Sequence, residues 1–557
     1  MKKTLLTALC LGCFGASALA QHDLNESKIW AFDRGLGIDF NTGNPVLVST
    51  SLNSAEGFVE GTAAVSDANG QLLFYCSADS IWNRNHQLMV NSSGINPSLG
   101  HSTNQGIVIA PVITNPSQFY VFSLENYEAL DNNPVGPLRL YYSIVDMTLD
   151  NGLGAVVAGQ KGILIDSVLS EMMTIVAGDN CNLWLLVHSR LNSDFRVWEI
   201  TASGISSTPV TSSVGNIAPM IPGFIGGYVV GGMTVSPDRR KIAIASQFGG
   251  FELFDFDPAF GTVSNAILLD TNASAYRACF SANSSMLYVK TGPAAVAKVS
   301  QYDLTGQSAA AIINSKFDYP QFRLPLTGGL KLGPDGKIYG FLQRANSNPA
   351  GLPDTLGVIT NPEMIGSAAG YNPVAIPLGA RLGAGFDLPN SYWKPLQDTL
   401  TSKIDTAFGV NNSLSLAIHG NYFTYQWDDN STDSFKNVTA PGVYWVTYSN
   451  YCTYRTDTFN VVGWPASIGG LNSNSFGLVA YPNPAASTVT VELSGLNNRR
   501  GDIVLIDAVG KIVLKQRTEG AQTNLSVTDV ATGIYTVEYR DDTNPALKIR
   551  TKLLINR

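Results

Sequence analysis

Charged residues make up only 14 % of this sequence, against about a quarter in ordinary soluble domains. Basic charge is the scarcer sign, with 35 Lys and Arg facing 43 Asp and Glu, a net charge of −8. A phosphate-rich partner needs a basic face, so nucleic acid is excluded. Histidine is rarer still: His22, His86, His101, His188 and His419 are all there are. No nucleophile elbow and no metal-spaced pair accompanies any of them, and His188, at the end of the apolar run Leu183 to Val187, reads as a packed or hydrogen-bonded residue. Nothing asks for a metal or a cofactor, and no enzymatic activity is expected. After the first twenty residues, no stretch is apolar enough to span a bilayer.

Those first twenty residues have the three-part layout of a signal peptide: Lys2-Lys3, an apolar run from Leu5 to Phe14, and small residues at Ala18-Leu19-Ala20 before Gln21. Residues 1–20 are expected to be removed, which drops the formal charge by two, from −8 to −10. Cys10 and Cys13 leave with them. The other cysteines, Cys76, Cys181, Cys279 and Cys452, lack metal-type spacing and are expected to be buried free thiols. The first three fall in separate repeats, too far apart to bridge.

The sequence is rich in glycine, with 53, and 45 % of its residues are hydrophobic, a profile of turn-rich β structure. At roughly 150 residues per domain, 557 residues make about three or four units. One signature recurs, a polar turn before a short β run. It is clearest at Ser66-Asp67-Ala68-Asn69-Gly70, Ser236-Pro237-Asp238 and Gly333-Pro334-Asp335-Gly336. Weaker copies sit at Asn25 to Ser27, Asn115 to Ser117, Gly178 to Asn180 and Ser281 to Ser284. Asp and Asn bond their own backbone in such turns, Pro presets φ, and Gly accepts positive φ, so each copy predicts a hairpin. The β runs begin at Ile29, Leu72, Phe119, Leu183, Ile242, Leu287 and Ile338, about 43 to 64 residues apart, which brackets a four-stranded propeller blade. Seven copies predict seven blades. Arg381 to Asn390, a strand-like segment with no copy after it, is expected to be the innermost strand of the first blade and to close the ring.

A second tag follows each turn on a later strand, and four of the seven carry an aspartate, Asp39, Asp146, Asp255 and Asp303, with Asp257 close behind. Propeller glycosidases use carboxylates around a channel, but a carboxylate repeated at one blade position reads as a turn residue. Residues Ile29-Trp30 through Phe40-Asn41-Thr42-Gly43, with Tyr142-Ser143-Ile144-Val145-Asp146-Met147 and Gly152-Leu153-Gly154, resemble the WD-like propeller proteins of gliding Bacteroidota. The resemblance implies a binding scaffold over residues 22–393.

Behind it, residues 398–462 carry short alternating strands. In Gly442 to Tyr448, Val443, Trp445 and Thr447 share one face, and Tyr444, Val446 and Tyr448 the other. They are similar to the immunoglobulin-like spacers of surface proteins, with Trp427 as core residue. Residues 463–475, rich in Gly, Ser and Asn, form a linker. Residues 476–557 run through Tyr481-Pro482-Asn483-Pro484, Gly510, Gly533, Tyr535 and Lys552 in an order that resembles the type A sorting domain of type IX secretion cargo. In that family these residues belong to the sorting signal. The whole therefore reads as all-β: a seven-bladed β-propeller followed by two small β-sandwich domains. The expected function is that of a secreted or cell-surface binding or adhesion protein. Its partners would be the type IX machinery and a surface glycan or protein. A secreted propeller hydrolase or lyase acting on polysaccharide, or a structural part of the motility or secretion apparatus, are the alternatives.

Overall fold

The computed structural model describes residues 23–556 apart from 33–34, 53–59, 78, 98–102, 127–137, 217–229, 247–249, 272–274, 292–297, 307, 320–328, 343–354, 379–387, 408–412, 421, 463–476, 496–499 and 545–547. The signal peptide, the 463–475 linker and positions 381–387 of the expected closing strand lie outside the described residues. Chain contacts divide the molecule into two units, up to Val462 and from Gly463 onward.

Within the first unit, seven antiparallel meanders succeed one another among the described residues. The first comprises Ile29–Phe32, Leu36–Asp39 and Val46–Ser49, and the second Thr62–Ser66, Leu72–Ser77 and Ser80–Asn83. The third runs Ile107–Val112, Asn115–Leu124 and Arg139–Asp146, with Ala155–Val156 and Ile163–Ser167 on its outer strand. The fourth is Leu169–Ala177, Leu183–Ser189 and Asp194–Thr201, edged by Gly204–Ile205 and Val210–Ser213. The last three start at Gly231–Val235, Ala275–Phe280 and Leu330–Leu332. The first strand of each sheet lies beside the first strand of the next, and a buried apolar cluster fills every gap between neighbours. The final gap joins the ends: Trp30 and Phe32 of the first sheet meet Tyr339 and Phe341 of the seventh edge-on, with ring centroids 5.6 and 5.2 Å apart. A succession of meanders packed face to face and closed on itself is a β-propeller.

The turns explain why the meander repeats. In five of the first hairpins an Asp or Asn Oδ1 accepts from the backbone N–H two residues on: Asp67 from Asn69, Asn115 from Ser117, Asp238 from Arg240, Asn283 from Ser285 and, at 3.3 Å, Asp335 from Lys337. That bond fixes the turn locally, before any packing is made. Gly70 ends the Asp67 turn at φ +81°, where a side chain would be strained. Around the expected closing strand, Leu388 is buried in the cluster between the first and seventh sheets. The Asn390 N–H donates to the Thr62 carbonyl at 2.7 Å.

Closure predicts an energetic link between residues 309 positions apart in the chain, Phe32 and Phe341. A double-mutant cycle with Phe32→Leu and Phe341→Leu should give a coupling of about 0.5–1.5 kcal/mol in denaturant unfolding, the range for an edge-to-face pair. Strict additivity would mean that the ends do not meet.

Residues 398–462 form a small sandwich. Asp398–Ala407 pairs in parallel with Thr453–Val462, which pairs with Gly442–Ser449 and through it with Thr424–Trp427. Leu414–Ala417 and Phe435–Val438 make the second sheet. Trp427 is fully buried between them, beside Val446, Tyr448 and Phe459. Val443 and Trp445 lie on the exposed face, as the alternation requires.

The cysteine expectation needs correcting. Cys76 and Cys279 are free and buried, but Cys181 is bonded to Cys452, with Cα atoms 5.2 Å apart. Cys181 sits in the first hairpin of the fourth sheet and Cys452 in the hairpin between Gly442–Ser449 and Thr453–Val462. The spacer turn is therefore held against the ring, a proximity between segments 271 residues apart. Nearby, Lys394 Nζ meets Glu26 Oε1 at 3.0 Å, and Trp393 is buried in the core of the third to fifth sheets.

The second unit is a sandwich of Gly477–Tyr481, Thr488–Ser494 and Gln522–Ser526 over Ile512–Thr518, Gly501–Ile506, Gly533–Asp541 and Lys548–Ile555. Its own core includes Val489, Val491, Leu505, Val537 and Leu553.

Candidate functional site

Four of the residues read as sorting signal come together with the terminal strand. Tyr481-Pro482 and Asn483-Pro484 are cis peptides, and between them Asn483 grips the last strand from both sides of its amide. Its Nδ2 donates to the Lys552 carbonyl at 2.9 Å, and its Oδ1 accepts from the Leu554 N–H at 2.8 Å. The Ala485 N–H adds a bond to the Leu554 carbonyl. Tyr481 donates to Glu492 Oε2 at 3.1 Å. Gly510, at φ +87°, ends a turn capped by Asp507, a separate feature of the sandwich. Gly533 and Tyr535 open the strand that pairs with the last one, opposite Ile555 and Leu553, and the Tyr535 hydroxyl donates to the Ala531 carbonyl at 2.8 Å.

In the ring, the recurring carboxylates have local partners. Asp39, Asp146, Asp257 and Asp303 each accept from the backbone N–H two residues on, at 2.7 to 2.9 Å. Asp255 differs, for it pairs with Lys241 and accepts from Asn265 Nδ2 at 2.7 Å. Burial works to raise its carboxyl, but the Lys241 ammonium and the Asn265 amide outweigh this and hold it below the usual range. Glu252 is buried, and its Oε1 accepts from the backbone and the side-chain amide of Asn216, each at 3.1 Å. Burial pushes the His188 imidazole down to about 4, so it is neutral at physiological pH, with Nδ1 2.6 Å from the Ser189 carbonyl and its ring edge-on to Phe195. The Cys279 thiol is pushed up to about 12 by the same cause. No cluster of His, Cys, Asp or Glu able to hold a metal occurs among the described residues, and no helix there is long and apolar enough to cross a membrane.

Among the cavities lined by described residues of the ring, two bear on ligand binding. One, of about 60 Å³, is on the inner strands beneath Tyr392 and Trp393. Arg277 and Lys331 line it, the former bonded to the Leu388 carbonyl, the latter to Ser391 Oγ and lying 5.2 Å from the Trp30 ring centroid. It has room for about two waters. The other is an open groove of about 620 Å³ between the outer strands of the third and fourth sheets. Strand pairing places Gln118 opposite Asp146 and Tyr120 opposite Ile144, so Gln118, Tyr120, Tyr142 and Ile144 share the face turned to the fourth sheet. Trp198 and the segment Ser203 to Ser207 form the opposite wall. Gln118 Nε2 donates to Asp146 Oδ2 at 2.8 Å, and its Oε1 remains an acceptor on this lining residue. Trp198 is 7 % exposed, and its indole N–H is buried with no partner among the described residues. None of these groove residues was singled out from the sequence for binding. The only signal was the period-two placement of Tyr and Gln on two paired strands, joined to a hydroxyl-rich turn some sixty residues later.

Residues 479–556 match the family of secretion system C-terminal sorting domains. The chain is thus cargo of the type IX system, exported to the cell surface or beyond. No curated protein matches it. Among solved structures, it is similar to a quinonprotein alcohol dehydrogenase-like protein of Bacteroides thetaiotaomicron, at 12 % identity over 60 % of this chain and 73 % of that one, TM-score 0.34. It is similar also to the Cps50 (Swd1) β-propeller domain of Myceliophteria thermophila, at 11 % identity over 57 % and 93 %, TM-score 0.32.

Proposed function

We propose that this exported chain is a binding or adhesion protein, whose propeller presents a ligand-binding surface outside the cell and whose spacer carries that propeller. One observation supports this above the rest: the carboxylates repeated around the ring are engaged in turns and ion pairs, as befits a scaffold. A glycosidase needs two carboxyl groups facing each other across a substrate, one of them protonated near neutrality. Asp255, whose environment favours the charged form, is poorly suited to the acid role. The partner would be a glycan or protein of an outer surface.

The test is retention. Purified chain from residue 21 onward should bind saturably to a defined glycan or to intact cells and leave the ligand chemically unchanged. Release of new reducing ends from polysaccharide would instead support a hydrolase.

A further inference from the structure

We infer that the groove between the third and fourth sheets is a binding site for an uncharged oligosaccharide. This rests on the binding reading above and names its ligand class.

Size sets the scale. About 620 Å³ falls within the range of roughly 300–1,000 Å³ common for small-molecule sites. Chemistry narrows the occupant. No lining side chain ionises near neutrality: the walls are Tyr120, Tyr142 and Trp198, the amides of Gln118 and Gln160, serine hydroxyls and aliphatic side chains. An anionic ligand leaving water for such a site would have no counter-charge and would face the Asp146 carboxylate bonded to Gln118, and an unpaired buried charge is strongly unfavourable. A purely apolar ligand would leave the amides and hydroxyls without partners, a penalty of about 1–3 kcal/mol for each that is buried.

An uncharged sugar meets both demands. Its ring presents a C–H face to an aromatic side chain, while each hydroxyl both donates and accepts. The groove offers the matching set. Gln118 Oε1 accepts, while Gln160 Nε2 donates and Ser203 and Ser207, both exposed, do either. Ser206 Oγ already accepts from the Glu199 N–H at 3.1 Å, and its hydroxyl proton can still be donated. Leu164, 57 % exposed at the rim, extends the apolar side.

The experiment uses the whole exported chain and a panel of neutral trisaccharides, acidic oligosaccharides and uncharged peptides, read by titration calorimetry and Trp fluorescence. A neutral trisaccharide should bind. Gln160→Ala, at an exposed position, should weaken it about fivefold, the value of one neutral hydrogen bond. Ser207→Trp, also exposed, should fill the groove and abolish binding while leaving the melting temperature unchanged. Binding that survives Ser207→Trp undiminished, or that is confined to acidic sugars or peptides, would overturn the groove assignment while leaving the binding reading intact. Failure to bind any of the panel or any intact cell would overturn both.

Discussion

Removal of residues 476–557 should leave a folded ring and spacer in the periplasm and abolish display on the cell surface. The cut falls in the connector that follows Val462, where the chain already divides. The sandwich beyond it has a core of its own, from Leu478 to Ile555. A unit with an independent core behind a Gly- and Ser-rich connector can be recognised by a receptor without disturbing its cargo. The reciprocal result is expected as well: residues 476–557 fused to a foreign periplasmic protein should carry it outward. Protease accessibility on intact cells of a host with the type IX machinery measures both. Equal display of full and truncated chains would refute the routing role. The Asn483 bonds refine the test, because Asn483→Ala releases the terminal strand at Lys552 and Leu554 and should reduce display while leaving the rest of the chain folded.

Replacing Cys452 with Ser should lower the stability of the first unit by about 3–5 kcal/mol, because the bond closes a very long loop and loop closure restricts the unfolded chain most when the loop is long. The loop spans 271 residues. Reducing agent should lower the melting temperature of the native chain and have no further effect on Cys452→Ser. Cys76→Ser is the control, for its buried thiol forms no bridge. Burial raises that thiol far above its ordinary range, so it stays protonated and slow to oxidise. Equal melting temperatures with and without reductant would show that the two cysteines are not joined in solution.

What could be read from the residues alone follows the range over which each structural decision is made. The Asp67, Asp238 and Asp335 turns were legible because their hydrogen bonds span two residues, and the ring followed from counting them. Asp398–Ala407 was not legible: it sits at a sheet edge, mostly exposed, and its sequence, Asp-Thr-Leu-Thr-Ser-Lys-Ile-Asp-Thr-Ala, has two aliphatic residues beyond Ala, Leu400 and Ile404, both on the solvent side. Phe435–Val438 was missed for a similar reason, as Phe435 is exposed and only Val438 is buried in the core. The Cys181–Cys452 pairing depends on how the spacer docks, which no local pattern encodes. In the sorting domain, Tyr481 to Pro484 was visible as a motif, but its grip on Lys552 and Leu554 joins positions about seventy residues apart. The groove shows the same limit. Trp198 reads as a strand residue, and only the neighbouring sheet makes it a wall.

The spacer also sets how the molecule carries load. Consider tension between a ligand held on the ring and the chain leaving at Val462. The first spacer strand is tethered to the ring at Asp398 and runs parallel to the last, Asp398 opposite Thr453 and Ala407 opposite Val462. Were the Cys181–Cys452 bond absent, opposed pulls on the near end of one strand and the far end of the other would act along the ladder and shear its hydrogen bonds together instead of unzipping them singly. Cys452 lies one residue before the last strand begins. The force therefore runs down Thr453–Val462 to Cys452 and crosses to Cys181 through a covalent bond, so the rest of the sandwich is bypassed. Such a spacer transmits a sustained pull to the ring without being paid out as slack.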